Sequence, residues 1–230
     1  MTQQVTVNID GINIRTPKGL SILDAALGYG ICIPHLCRLP YHSDIGACRL
    51  CIVEHIENGR SKITTSCTLL VKEGMVILSN TEKVRRLRRN IAELIVAEAP
   101  NSRAIQDVAL RCGVREVRYP FRNSHCILCG RCVNICTGIF GTKAIGFVGR
   151  GKKRRVDSPF SVHSDLCRQC GACVDVCPMS VVPCDGPMHL GEERLCAKCE
   201  SKMDFAEKTP GFCVACDLGK GFQCERALTL

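Results

Sequence analysis

The sequence predicts an α+β protein made of several small domains, and three features of its 230 residues carry this prediction. Residues 1–80 contain short runs of alternating apolar residues, which are typical of half-buried strands. Residues 81–115 carry apolar residues at helical spacing and are expected to form a helical linker. Residues 116–183 repeat one cysteine pattern twice, and residues 184–230 form a separate cysteine-rich tail.

The first segment is predicted to be rich in β-structure. Two strand-like runs, residues 5–9 and 12–14, flank a tight turn. Ser21 is expected to cap a short helix at residues 22–28, because its hydroxyl can accept from the first turn. Residues 75–78 are predicted to form a closing strand.

Two helices are predicted in the linker. Residues 79–82 fit a capping box with Ser79 as the cap, and Pro100 ends the helix that follows. A second helix is expected to begin at Asn101 or Ser102 and to end at Gly113. The apolar stripe predicted for the first helix consists of Val84, Leu87, Ile91, Leu94 and Ile95. The stripe predicted for the second consists of Ile105, Val108, Ala109 and Cys112.

The composition favours metal centres over a large apolar core. The chain has 20 cysteines and only 4% aromatic residues, which normally supply much of the buried area. It shows neither a leader-like start nor an apolar run long enough to span a membrane. We therefore expect a cytoplasmic protein, whose reduced thiols bind metal instead of forming disulfides.

Four cysteines in the first segment have the spacing expected of a plant-type [2Fe–2S] site. The pattern is C-x10-C-x2-C-x15-C. One loop would supply three thiolates, and a later, adjacent element would supply the fourth. Gly46 would let the backbone pass close to the cluster. The candidate ligands are Cys37, Cys48, Cys51 and Cys67.

The internal repeat predicts two [4Fe–4S] clusters. Residues 125–132 echo residues 166–173, and a fourth cysteine follows each run after three residues. In two-cluster ferredoxins the fourth cysteine of each run ligates the other cluster. One predicted ligand set is Cys126, Cys129, Cys132 and Cys177, and the other is Cys167, Cys170, Cys173 and Cys136. Zinc sites use two cysteine pairs, a pattern that this repeat does not have.

The net charge is weak evidence for a nucleic-acid partner. It amounts to +9 when cysteine is counted as neutral. An oxidised cluster with its four thiolates carries about −2, so three clusters would lower the net charge to about +3 and a fourth to about +1. Most of the positive charge therefore balances the predicted clusters.

Five motifs carry a family resemblance: IPHLC, GACRLCIVE, EGMV, CILCGRC and AIGFVGRG, at residues 33–37, 46–54, 73–76, 126–132 and 144–151. They resemble the N-terminal iron–sulfur region of NADH dehydrogenase large subunits and iron-only hydrogenases, and the small diaphorase-type subunit of NAD-reducing nickel–iron hydrogenases. The resemblance covers residues 1–183. It implies a β-grasp plant-type ferredoxin domain, a short helical linker and a bacterial-type two-[4Fe–4S] ferredoxin domain. It also implies electron transfer between a flavin-containing, NAD(P)-binding subunit and a second redox-catalytic subunit.

The chain departs from this family at one cluster. The family usually carries a further [4Fe–4S] site with one histidine and three cysteines between the two regions. Residues 82–125 offer only Cys112 and His125, so that cluster is expected to be absent. Cys112 and Cys32 are expected to be buried thiols that bind no metal.

The tail leaves two kinds of metal site open. Cys196, Cys199, Cys213 and Cys216 have zinc-ribbon spacing. The residues around Cys199 and Cys213 also resemble the third cluster motif of polyferredoxin subunits of molybdenum oxidoreductases. The tail is therefore expected to bind either a further [4Fe–4S] cluster or zinc. Cys184 and Cys224 are additional candidate ligands.

These features predict an electron relay with no substrate site of its own. The sequence has no dinucleotide fingerprint, phosphate-binding loop or nucleophile–base constellation. We expect a subunit of an NAD(P)-linked hydrogenase, formate dehydrogenase or electron-bifurcating complex, with no nucleic-acid partner. One alternative is the iron–sulfur subunit of a succinate dehydrogenase-like complex, whose two-iron motif is tighter. The other is a zinc-containing regulatory or nucleic-acid-binding protein, which would need aromatic residues among its basic ones.

Overall fold

The computed structural model describes residues 3–39, 45–122, 124–162 and 164–179, and the backbone of two short strands in the tail. The chain forms two compact units. The first comprises Met1–Arg38 and Asp44–Asn123, and the second is formed mainly by Ser124–Thr229. No helix in the described part of the chain is long and apolar enough to cross a membrane.

The first unit is built on a five-stranded mixed sheet. Its strands are β1 (Gln4–Ile9), β2 (Ile12–Pro17), β3 (Ile52–Glu57), β4 (Arg60–Thr65) and β5 (Val76–Leu78). They are arranged in the order β2-β1-β5-β3-β4. The β1–β5 pair is parallel and the other pairs are antiparallel. The strands predicted at residues 5–9, 12–14 and 75–78 are confirmed, and the β3–β4 hairpin adds to them.

Helix α1 (Ile22–Gly28) completes the core of this unit. It begins as predicted, because the Ser21 hydroxyl accepts a hydrogen bond from the Asp24 amide. Fully buried side chains from β1, β2 and α1 form the core, among them Val7, Ile9, Ile14, Ile22 and Leu23. Each such side chain contributes about 1.5–3 kcal/mol when buried. Cys51 and Cys67 belong to the same core.

Helix α2 (Glu82–Glu98) begins two residues later than predicted. Its cap is Thr81, whose side chain accepts a hydrogen bond of 3.2 Å from the Val84 amide. Ser79 instead donates through its amide and hydroxyl to the Asp10 carboxylate. The predicted capping box is therefore wrong, because the Ser79 side chain binds Asp10, a residue distant in sequence, and does not cap the helix.

The predicted apolar stripe of α2 is correct only in part. Val84 is fully buried, but Leu94 is 52% exposed. Arg88 and Glu93 are buried instead. Glu93 accepts hydrogen bonds from the backbone and guanidinium of Arg118, which hold the pKa of its carboxyl below the usual value. Hydrogen-bond partners inside the unit thus stabilise the buried positions of Arg88 and Glu93 on α2.

Helix α3 (Arg103–Arg111) follows the predicted pattern. The Ser102 hydroxyl caps it by accepting from the Ile105 amide at 3.4 Å. Ile105, Val108 and Ala109 are its buried residues. Gly113 follows the helix with a φ of 77°, in the left-handed region that favours glycine there.

The second unit consists of short elements. Its strands β6 (Gly146–Val148) and β7 (Arg155–Asp157) pair as an antiparallel hairpin. Helix α4 (Arg131–Asn134) continues into a π-helical turn, Ile135–Ile139, and helix α5 (Ala172–Asp175) packs against α4. Two 3-10 turns lie at Gly151–Lys153 and Pro159–Ser161, and two tail strands, β8 (Arg194–Leu195) and β9 (Lys202–Met203), pair antiparallel.

The core of the second unit is small and contains cysteines from both runs. Cys132, Val156 and Val174 are its buried members. Cys173 and Cys177 pack against them at intermediate exposure. Because little apolar surface is buried among the described residues of this unit, apolar packing there supplies little stability, and coordination of the cysteines would add to it.

Candidate iron–sulfur sites

The structure brings the first predicted set of cysteines together. The side chains of Cys37, Cys48, Cys51 and Cys67 are all buried, and none of them forms a disulfide. Cys37 and Cys48 share a side-chain hydrogen bond, as do Cys51 and Cys67. An electrostatic interaction between Cys37 and Cys51 links the two pairs. Two pairs of thiols in contact match the ligand set of a cluster with two irons.

The hydrogen bonds within the pairs favour thiolates at two positions. The bond from Cys37 lowers the pKa of Cys48 to about 7. The bond with Cys67 likewise lowers the pKa of Cys51 to about 7. The same Cys48 hydrogen bond, together with burial, raises the pKa of Cys37. Since the thiolate is the form that binds metal, half of this set is prepared to release its protons near neutral pH.

The loop around Cys48 depends on two residues in left-handed conformation. Gly46 has a φ of 63° and Arg49 a φ of 60°. The Cys48 amide donates toward the Cys37 sulfur at 3.5 Å. A Cβ atom on Gly46 would lie 3.0 Å from the Thr68 side chain, so this position also lacks room. Gly46 is therefore crowded against Thr68, whereas the close approach of its backbone to a cluster stays a prediction.

The internal repeat of the sequence is also a repeat of backbone conformation. In the first run Leu128 and Gly130 have φ values of 54° and 78°. In the second run Gln169 and Gly171 have φ values of 52° and 73°. The Leu128 amide donates to the Cys126 sulfur at 3.3 Å. Left-handed residues next to right-handed ones turn successive amides toward one point, an arrangement that binds anions such as cluster sulfides.

The left-handed conformation of Leu128 and Gln169 is strained, because a Cβ in this region costs about 1–2 kcal/mol. Such strain persists where the surroundings hold it, and it concentrates at functional sites. Both residues occupy the same place in their runs, two positions after the first cysteine. The donor sets and the amides directed at sulfur fit iron–sulfur clusters in both units.

Three cysteines of the first run lie close to a cysteine of the second. Cys126, Cys129 and Cys132 each interact electrostatically with Cys177. Burial raises the pKa of all three, to about 11 for Cys129 and about 12 for Cys132. The fourth thiol near this group thus comes from the other run of the repeat. This neighbourhood supports the crossed ligand set, which stays a prediction.

The other crossed set is described through its individual members. Cys173 packs against the small core of the second unit. Cys136 lies in the π-helical turn, with its sulfur 3.0 Å from the Thr142 hydroxyl. Cys167 is half-buried and Cys170 is exposed. The assignment of these four residues to one cluster stays a prediction.

Single-ion sites require a different geometry. Among the described residues, no three His, Cys, Asp or Glu side chains converge as they would around one metal ion. An iron–sulfur cluster instead spreads its thiolates over two or four iron atoms. The cysteine sets described above therefore need not converge on one point.

The cysteines outside these sets have different environments. Cys112 is half-buried, and burial raises the pKa of its thiol to about 11. Cys32 is exposed, so the prediction that it is buried was wrong. It follows helix α1 in a loop, where no apolar face covers it. The six tail cysteines, Cys184, Cys196, Cys199, Cys213, Cys216 and Cys224, lie outside the described residues.

Sequence reasoning missed two arginines beside the cysteine sets. Arg88 and Arg131 are 6% and 4% exposed. Arg88 donates hydrogen bonds to the carbonyls on both sides of Cys51, and Arg131 interacts electrostatically with Cys129. Arg88 lies four residues after the buried Val84 and four before the buried Ala92, so helical spacing places it on the buried face but does not identify its partners.

Two family descriptions match the chain. Residues 2–82 match a 2Fe-2S iron-sulfur cluster binding domain. Residues 125–181 match a 4Fe-4S dicluster domain. The predicted combination of one [2Fe–2S] ferredoxin-type domain with a two-[4Fe–4S] domain is therefore confirmed.

The curated relatives are subunits of oxidoreductases. The NADPH-Fe(3+) oxidoreductase subunit alpha of Geobacter sulfurreducens is 35% identical over 199 residues, which cover 76% of this chain and 23% of that protein. The NADP-reducing hydrogenase subunit HndD of Solidesulfovibrio fructosivorans is 31% identical, covering 76% of this chain and 35% of that protein. This chain thus spans between about a quarter and a third of these relatives' length.

A solved structure is similar over a larger share of its own length than these relatives are. It is a chain of an NAD+-reducing [NiFe]-hydrogenase in the H2-reduced state, with a TM-score of 0.59 and 32% identity. The match covers 67% of this chain and 74% of that one. The similarities confirm the resemblance that the five sequence motifs carry.

The crowding at Gly46 gives a first testable prediction. Gly46→Ala should lower [2Fe–2S] content, because its methyl group would press on Thr68, the neighbour of Cys67. Gly59→Ala is the matched control, since Gly59 has a φ of 72° and no atom within 4 Å of the added Cβ. Both variants should lose about 1–2 kcal/mol of stability from the left-handed conformation.

The measurement is thermal unfolding of each variant together with its [2Fe–2S] signal by electron paramagnetic resonance (EPR). Only Gly46→Ala should lose the signal in part or whole. Equal [2Fe–2S] content in the two variants would show that the close approach at Gly46 does not matter to the site.

Proposed function

Because the chain belongs to the family of iron–sulfur electron-transfer subunits homologous to subunits of NAD(P)-linked hydrogenases and NADH dehydrogenases, we propose that it is the relay subunit of a multi-subunit NAD(P)-linked oxidoreductase. It would pass electrons between a flavin-containing, NAD(P)-binding subunit and a second redox-catalytic subunit. The observation that carries this proposal is the presence of two ferredoxin-type domains on one chain. The complex is a hydrogenase, a formate dehydrogenase or an electron-bifurcating enzyme.

The proposed [2Fe–2S] ligands are Cys37, Cys48, Cys51 and Cys67. Their burial and their pairwise hydrogen bonds support this assignment. The mixed five-stranded sheet with α1 in its core supports a β-grasp fold around them. When bound, such a cluster takes up and releases electrons at a potential set by hydrogen bonds, charge and exposure.

The proposed [4Fe–4S] ligand sets cross between the two runs. Electrostatic contact of Cys126, Cys129 and Cys132 with Cys177 supports the first set. The equivalent conformation of the two runs supports the second set, which consists of Cys167, Cys170, Cys173 and Cys136. Because each cluster would then be ligated by cysteines of both runs, metal binding would link the two runs and stabilise the small core between them.

The tail would hold a further [4Fe–4S] cluster or zinc. The candidate ligands are Cys196, Cys199, Cys213 and Cys216, and Cys184 and Cys224 are additional candidates. Either metal would supply folding energy to a segment that has few large apolar side chains. The two alternatives differ in total iron, which would be roughly 10 atoms per chain with zinc and roughly 14 with a fourth cluster.

An exposed apolar segment supports a partner surface on the second unit. Phe160 is 96% exposed, and Val162 and Leu166 are 64% and 61% exposed. Large exposed apolar side chains are typical of protein interaction sites. They directly precede Cys167 and the exposed Cys170, so a partner bound there would lie beside the second cysteine run. The cytoplasm is the proposed location, where thiols stay reduced for cluster assembly.

The relay proposal predicts how the isolated full-length chain behaves. Dithionite should reduce its clusters, whereas the chain should neither bind NADH in calorimetry nor oxidise it. Iron and zinc analysis of the same sample should give one of the two contents above. Saturable NADH binding to this chain alone, or an iron content near four, would contradict the proposal.

Cysteine variants test the crossed ligand sets. The EPR spectrum of reduced Cys177→Ser should match that of Cys129→Ser, because both residues belong to one predicted set. The spectrum of Cys136→Ser should match that of Cys170→Ser instead. Cys112→Ser is the control and should leave every cluster signal unchanged. Agreement of Cys177→Ser with Cys170→Ser would mean that each run holds its own cluster.

A further inference from the structure

Arg88 is a buried cation on helix α2. Its side chain is 6% exposed, and the only other arginine buried among the described residues is Arg131. A guanidinium keeps its proton in any protein environment. Burying that charge is costly unless nearby groups compensate for it. The position of Arg88 therefore needs compensating groups.

The hydrogen-bond partners of Arg88 are neutral. Its Nε donates to the Leu50 carbonyl at 2.9 Å, and its Nη2 donates to the Ile52 carbonyl at 2.7 Å. Nη2 also donates to the Ser79 carbonyl at 3.1 Å. Leu50 and Ile52 are the residues on either side of Cys51. The guanidinium thus holds the backbone of a proposed [2Fe–2S] ligand from both sides.

The titratable neighbours of Arg88 are mostly cysteines. It interacts electrostatically with Cys112, Cys51 and Cys32, and also with Asp10. The Asp10 carboxylate already accepts two hydrogen bonds from Ser79. Within the described ranges, no carboxylate lies at ion-pair distance from Arg88. Among these neighbours Cys51 is the proposed cluster ligand, and it lies between the two residues whose carbonyls bind the guanidinium.

We propose that Arg88 is a positioning residue that fixes Cys51 and raises the reduction potential of the [2Fe–2S] site by placing a permanent positive charge beside it. This inference rests on the proposed ligand set of that site. Reduction adds one electron, and hence one negative charge, to a cluster that already carries about −2. A fixed positive charge in a poorly solvated interior stabilises the more negative, reduced form.

The second unit shows a comparable arrangement. Arg131 is 4% exposed and directly precedes Cys132 in sequence. Its charge also interacts electrostatically with Cys129. In the described part of each compact unit, a buried arginine thus lies next to proposed cluster ligands. This recurrence favours an electrostatic role over an accident of packing.

The experiment measures the potential of the [2Fe–2S] signal in the full-length chain by EPR-monitored redox titration. Arg88→Gln removes the charge and keeps some hydrogen-bond donors, whereas Arg88→Lys keeps the charge. Arg85→Gln is the matched control, because Arg85 lies one turn earlier on α2, is exposed and donates to the Asn80 carbonyl. The [4Fe–4S] signals serve as an internal reference.

Arg88→Gln should lower the ratio of reduced to oxidised [2Fe–2S] cluster about tenfold at a fixed potential, a shift of about 59 mV for one electron. Arg88→Lys should stay within about threefold of the unmodified chain. Arg85→Gln and the [4Fe–4S] signals should not shift. If Arg88→Gln assembles no [2Fe–2S] cluster while Arg88→Lys does so at the original potential, the positive charge is required, which also supports the inference.

Three results would overturn the inference. They are an unchanged potential in Arg88→Gln, an equal shift in Arg88→Lys and Arg88→Gln, and loss of the [2Fe–2S] cluster in both variants. The last result would show that the guanidinium only supports the fold. Absence of a [2Fe–2S] signal from the unmodified chain would instead contradict the proposed ligand set, so the two failures are distinguishable.

Discussion

The rest of the structure depends on the burial of thiol groups in short loops. Cys51 and Cys67 lie in the main core of the first unit, and Cys132 lies in the small core of the second. Buried thiolates are costly unless a metal, a cation or hydrogen-bond donors compensate them. The left-handed residues Arg49 and Leu128 adjoin such loops, where backbone amides point at cysteine sulfur. The free-energy cost of the strained backbone at these residues is thus offset by the hydrogen bonds that the amides donate to buried sulfur.

The same constraint explains the position of two positive charges of the chain. The chain has a net charge of +9, and part of its positive charge lies inside the protein. Arg88 and Arg131 are buried beside proposed cluster ligands, and neither is at the surface where it could attract a nucleic acid. Charge, burial and cysteine spacing therefore support one account, in which the folded chain is built to hold anionic clusters and to tune them.

The sequence was most informative where the chemistry acts over short distances. Cysteine spacing predicted the two ferredoxin-type domains because a cluster fixes the separation of its ligands, and the Ser21 cap was predicted because it bonds to a residue three positions away. Prediction failed where distant residues decide. Asp10 accepts hydrogen bonds from Ser79, and α2 therefore begins later than predicted. The carbonyls beside Cys51 accept hydrogen bonds from Arg88 and stabilise its buried position. Neither partner is visible in a local sequence pattern.

The central claim is that electrons pass through this chain while its native complex turns over. The most direct measurement mixes the purified complex with NAD(P)H in the absence of the final acceptor and freezes samples at successive times for EPR. The account predicts that the [2Fe–2S] and [4Fe–4S] signals of this chain appear at least as fast as the complex turns over. Cluster reduction slower than overall turnover would contradict it, because electrons would then reach the acceptor by another route.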